Sequence, residues 1–224
     1  MSRSDFSDYI VHFTSDRAPL GLNNPANQED ETLQELARLD AKQRLTLILR
    51  DRYIIPTPTP WLNVRAVSFT ECTWPSLMDN AGHYSPYAIA FSKEFLFNRG
   101  GGPAIYLRPD VYMEQQNFIT ARMQGYAYSE RFAAFLVPFV PLYADGDYKQ
   151  THWANQDCID HTREREWRVP TAVEGFSNED IAFIMVANNE DIDYFKELRG
   201  DIGDEKFLVA KTCEQAERLL AATV

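Results

Sequence analysis

Tyr87-Ala-Ile-Ala-Phe-Ser-Lys-Glu-Phe-Leu-Phe97 decides the fold class, because a β-type run over 87–91 passes at once into a short helix from Lys93 to Phe97. On its N-terminal side, Val64-Arg-Ala-Val-Ser-Phe-Thr70 alternates, and Tyr9-Ile-Val-His-Phe-Thr14 is rich in branched and aromatic residues. Both read as strands. On its C-terminal side, Ala104–Arg108, Glu166–Pro170, the apolar run Ile181–Ala187 and Lys206–Ala210 read the same way. Between them lie helical patterns. Leu33, Leu36, Leu39, Leu45, Ile48 and Leu49 recur at helical spacing within Glu31–Arg52, with Glu35, Arg38, Asp40, Lys42 and Arg44 on the other face. Residues 111–135 are mostly helical with a break near Gly125, Asp191–Arg199 is a helix, and Thr212 caps a last helix over Cys213–Ala222. Pro56, Pro58 and Pro60 force an extended path after Ile54. No repeat or long linker divides the chain, so the pattern predicts a single α+β domain with an α/β portion at its C-terminal end.

The composition narrows the function classes. With 22 Lys+Arg against 33 Asp+Glu over 224 residues the formal charge is −11, which opposes broad binding to a phosphate backbone. Cys72, Cys158 and Cys213 are an odd number without paired spacing, so neither a disulfide framework nor a zinc knuckle is expected, and a reducing cytoplasmic setting is. The N-terminal stretch lacks the pattern of a signal peptide, and no apolar run approaches the roughly 20 residues that cross a bilayer. Aromatic residues are 13% of the chain, a content that suits strands and the walls of a pocket for a flat ligand.

Gly100-Gly-Gly102 precedes a strand rather than a helix, so it reads as a hairpin turn and not as a phosphate loop. Asp157, His161 and Glu164 are spaced to share a helix face, which is either a solvated surface or a metal site; no metal is assigned. No signature surrounds a cysteine nucleophile. Three features remain. His12 lies inside the first strand, as a satisfied core histidine or a ligand contact. His83–Phe95 places aromatic rings just before a strand, for packing or for a pocket. Glu164 and Glu166 alternate onto one side of an extended segment, as a solvated edge or as carboxylates drawn inward beside Trp167.

His-Phe-Thr at 12–14, the leucine-rich helix ending in Leu47-Ile-Leu-Arg-Asp-Arg-Tyr-Ile54, Val67-Ser-Phe-Thr-Glu71, Tyr87–Lys93, Pro103-Ala-Ile-Tyr106 and Glu164-Arg-Glu-Trp-Arg168 occur in that order. The order resembles the abortive-infection AbiGi family of bacterial phage-defence proteins. More remotely it is similar to ADP-ribosyltransferases of the His-Tyr-Glu type, the DNA-modifying DarT toxins among them. The similarity runs from about Tyr9 to Pro170, so it implies a transferase-like core over 1–170 and an α/β extension over 171–224 packed on that core.

The resemblance implies a split, mixed β-sheet whose cleft grips NAD as a substrate, without a metal. It assigns Glu166 to the ribose hydroxyl and the cationic transition state, and Glu164 to the acceptor nucleophile. His12, with Thr14 beside it in the motif, is assigned to a ribose; Arg52 and Arg65, with Arg168, to the pyrophosphate. Tyr84 or Tyr87 would stack on nicotinamide; Ala88 and Ala90 stand where His-Tyr-Glu enzymes often have a Gly and an inward Tyr, so both tyrosines stay candidates. Two function classes follow. One is an anti-phage enzyme that moves ADP-ribose to a macromolecular acceptor. The other is a catalytically inactive antitoxin or regulatory protein that holds a cognate partner through its acidic surface.

Overall fold

The computed structural model describes residues 7–59, 63–71, 77, 80–82, 84–122, 127–139 and 162–210. His83, Asp157, His161, the three cysteines and the expected helix over 213–222 lie outside these residues. Twelve strands are described: β1 (Tyr9–Phe13), β2 (Tyr53–Ile54), β3 (Thr57–Pro58), β4 (Arg65–Thr70), β5 (Ala88–Ser92), β6 (Gly102–Pro103), β7 (Ile105–Leu107), β8 (Leu136–Pro138), β9 (Glu166–Val169), β10 (Val173–Glu174), β11 (Ile181–Val186) and β12 (Phe207–Val209). The described α-helices are α1 (Glu31–Ala37), α2 (Ala41–Asp51), α3 (Lys93–Phe97), α4 (Pro109–Arg122), α5 (Ala127–Ala133) and α6 (Asn189–Leu198).

The helix expected over Glu31–Arg52 is two helices, and Asp40 is the reason. Its carboxylate accepts from the Gln43 N–H at 2.7 Å while the Gln43 side chain accepts from the Asp40 N–H at 2.9 Å. This reciprocal cap starts α2 afresh, so a residue that looked like part of a polar face is a helix boundary. Ser92 performs a similar task at the junction that set the fold class, its hydroxyl accepting from the Phe95 N–H at 3.1 Å to open α3.

The main sheet runs in the order β12-β11-β5-β1-β4-β9-β6, with β3 also on β4. It is mixed, since β11 and β12 are parallel and its other pairs antiparallel. The fold is therefore α+β. The region after Pro170 joins through the sheet itself: β11 forms a ladder with β5, and β10 pairs with β2. Ile10, Phe69, Ile89, Phe91 and Ile184 share one cluster with Leu45 and Leu49 of α2 and Phe195 of α6. Val11, Ala88, Ala90 and Met185 form a second cluster. α2 and α6 are tied by Lys42, whose ammonium donates to the buried Asp191 carboxylate at 2.6 Å. No helix among the described residues is long and apolar enough to cross a membrane.

Candidate active site

The site begins with a ladder that stops. β1 pairs with β5 over five residues, from Tyr9 opposite Ser92 to Phe13 opposite Ala88. Its other edge meets β4 at a single pair, Val11 opposite Thr70. Beyond that point the His12 side chain reaches across to β4, while Thr14 turns to α2 and to the β5 side. The His12 ring contacts the Ser68 carbonyl through Nδ1 at 2.8 Å, and the Thr14 hydroxyl is shared between the carbonyls of Ala41 and Tyr87, each at 2.9 Å. A cavity of about 420 Å³ occupies the opening. Consecutive residues 11–15 and 66–70 line it. Since neighbouring side chains on a strand point to opposite faces, unbroken runs on the wall mean that the cavity lies at the strand edges rather than over one face. That is how His12 and Glu166, which alternation sends to opposite faces, both reach it.

Glu164 and Glu166 both line this cavity, as does Asp51 from the α2 side. The two glutamates do not sit on one extended segment as expected. Glu164 ends a 3₁₀ turn over Thr162–Glu164, Arg165 adopts φ 46°, and β9 begins only at Glu166. The left-handed residue turns the chain between the two acids. Buried Glu164 accepts from the Tyr84 hydroxyl, which lies 3.0 Å from both of its oxygens. Phe13 stacks on the Tyr84 ring with centroids 5.7 Å apart. Glu166 accepts from Arg168 Nε at 2.8 Å, and Arg168 Nη1 also donates to the carbonyls of Ala134 and Leu136. The Tyr106 hydroxyl accepts from the Glu166 N–H at 3.3 Å; burial, and then the charge of Glu166, push that phenol well above its usual range. Desolvation holds the His12 imidazole below its ordinary 6.5, while the Ser68 hydrogen bond opposes the shift. With Nδ1 donating to that carbonyl, Nε2 of the neutral ring is an acceptor.

The structure brings His12, Thr14, Tyr84, Glu164 and Glu166 to one cavity. It does not bring Tyr87, Arg52 or Arg65 there. The Tyr87 hydroxyl donates to Asp191 at 3.0 Å on α6, where burial and the Asp191 charge push it up to about 12. Arg52 is the left-handed C-cap of α2 and pairs with Asp201 at 3.2 Å. Arg65, at the start of β4, pairs with Asp30 and donates to the Pro56 carbonyl. Each of the three is claimed by an acceptor outside the cavity. Arg168 does line the cavity, but it is turned to Glu166 and two carbonyls rather than held out for a pyrophosphate.

Sequence reasoning missed the wall made by residues 53–55 and 57–59, which reads only as an extended path, and a helical wall. Arg44, Leu47, Ile48 and Asp51 of α2 also line the cavity. Their i, i+3, i+4, i+7 spacing was the available signal. Arg44 was assigned to the polar face, yet it donates twice to the Leu36 carbonyl, at 3.0 and 2.6 Å, and burial lowers its pKa. Among the described residues no three His, Cys, Asp or Glu side chains gather as a metal-holding group. No family model, curated protein or solved structure matches the chain.

Proposed function

We propose that the cavity takes NAD as a substrate and that the chain transfers the ADP-ribosyl group to a macromolecular acceptor, as a cytoplasmic protein of bacterial defence against phage. The observation that carries the reading is the character of the polar groups at the gap between β1 and β4. Glu164, Glu166 and the free nitrogen of His12 are all acceptors, set beside the Phe13–Tyr84 stack and Phe69. Such a wall suits a ligand that offers vicinal hydroxyl donors next to a flat ring, as a nicotinamide riboside does. The ADP-ribosyltransferase-like arrangement of a split sheet belongs to the same proposal and is supported by the single pair between β1 and β4.

In this reading the bond from ribose C1′ to the nicotinamide nitrogen breaks, the electron pair leaves with nicotinamide, and positive charge develops on the ribose. The Glu166 carboxylate stabilises that charge more strongly than it stabilises the neutral sugar. Glu164 takes the proton of the attacking acceptor, with Tyr84 orienting it. The test is to incubate the protein with labelled NAD and cell lysate and to follow nicotinamide release. Wild type should release it, and Glu166→Gln should slow release by about 10²-fold or more, the scale of losing one electrostatic group at a reacting centre. Wild type and variant equally inert, with no NAD bound, would overturn the proposal; NAD held without turnover would favour the regulatory reading.

A further inference from the structure

The geometry points to Arg168 as a positioning residue that sets the direction of the Glu166 carboxylate, an inference that rests on the reading of Glu166 given above. Arg168 is 3% exposed, although it lies on the wall of a cavity. Its Nε donates to Glu166 Oε1 at 2.8 Å, and its Nη1 donates to the carbonyls of Ala134 and Leu136 at 2.9 and 3.2 Å. These acceptors come from two directions: the carboxylate from the start of the same strand, the carbonyls from the end of α5 and from β8. A planar guanidinium whose Nη1 is held by backbone carbonyls has its Nε–H aimed along one line, so the carboxylate that accepts from it is aimed as well.

Stability alone is a poor reason for such a pair. Removing two charges from water costs about as much as their attraction returns, and apolar residues of equal volume often do as well. A buried pair whose acid faces a cavity is better explained by the precision it gives that acid. Lysine carries the charge but presents a point donor that cannot serve the carboxylate and the carbonyls in one plane.

The experiment compares wild type, Glu166→Gln, Arg168→Lys and the double variant for NAD cleavage, NAD binding by calorimetry and thermal unfolding. Arg168→Lys should lower kcat about 10²-fold, the cost of a small misplacement of a reacting group, and leave the Kd for NAD within about threefold. The double variant should be no slower than Glu166→Gln by more than about twofold, because Arg168 acts through the group already removed. A purely structural role would multiply the two losses and raise Kd with them, and either result overturns the inference. Should Arg168→Lys not fold, Arg168→Gln, which keeps a planar donor without the charge, is read by the same criteria. If wild type cleaves NAD and Arg168→Lys does so equally well, only the role of Arg168 falls. If wild type neither binds nor cleaves NAD, the transferase reading falls and takes this inference with it.

Discussion

The two edges of β1 have opposite fates. Towards β5 the strand is paired over its whole length, and the partner residues Ala88, Ile89, Ala90 and Phe91 are fully buried. Towards β4 it keeps one pair, and ionisable side chains gather where the ladder has parted. On the closed edge the backbone satisfies itself and apolar packing supplies the stability. On the open edge the His12 ring takes over the Ser68 carbonyl of β4, so the same strand ends up half scaffold and half site. Polar chemistry is placed here by withholding a ladder rather than by adding a loop.

The comparison can be broken first at the closed edge. Phe91 stacks on Phe95 at 4.8 Å and meets Phe176 edge-on at 5.2 Å, so Phe91→Ala should cost about 3–5 kcal/mol of stability, read by urea unfolding. A cost under about 1 kcal/mol would mean that this side is not the scaffold. At the open edge, removing one hydroxyl separates the two tyrosines. Tyr84→Phe should weaken NAD turnover about tenfold by releasing Glu164, whereas Tyr87→Phe should leave turnover unchanged and cost about 1 kcal/mol of stability. Equal effects on turnover would erase the distinction between inside and outside the cavity.

A smaller effect comes from His12. Its folded-state pKa lies below the unfolded value near 6.5, so in the window between the two the unfolded chain binds the extra proton and stability falls as the pH drops. Wild type should therefore lose stability between pH 7 and pH 5 in urea titrations, and His12→Gln should lose less of it. Identical pH dependence in the two proteins would show that the ring is not desolvated at the gap. The smallest effect belongs to Arg65. Its pair with Asp30 is solvent-facing, so Arg65→Ala should change stability by less than about 1 kcal/mol and leave NAD affinity as it was.

Much of this arrangement was legible from local pattern, and the rest failed for identifiable reasons. Strands such as Arg65–Thr70 and Ile181–Val186 announce themselves by branched and aromatic residues at period two or in buried runs. The break at Asp40 was hidden because an N-cap acid and a solvent-face acid look alike within an amphipathic pattern. His12, Glu164 and Glu166 stand in the ordered short motifs and Tyr84 in the aromatic stretch before β5, and all four line one cavity. Arg52, Arg65 and Tyr87 were misplaced because Asp201, Asp30 and Asp191, which claim them, are remote in sequence. Arg44 was missed because a charged residue on a helix suggests water, whereas here a single carbonyl holds it against the cavity. The parting of β1 from β4 has no local signature at all. It is a property of pairing, and pairing is written across distant segments.

The position of β11 within the sheet has a consequence for the life of the nascent chain. Until residues 181–186 leave the ribosome, β5 has its partner β1 on one side and an open row of backbone donors and acceptors on the other. The residues along that row, Ala88 to Phe91, are apolar throughout. An uncovered, uncharged edge of this kind is a template for another copy of itself. The segment after Pro170 thus works as a stopper, and a chain cut at that point should gather into aggregates rather than persist as a smaller protein.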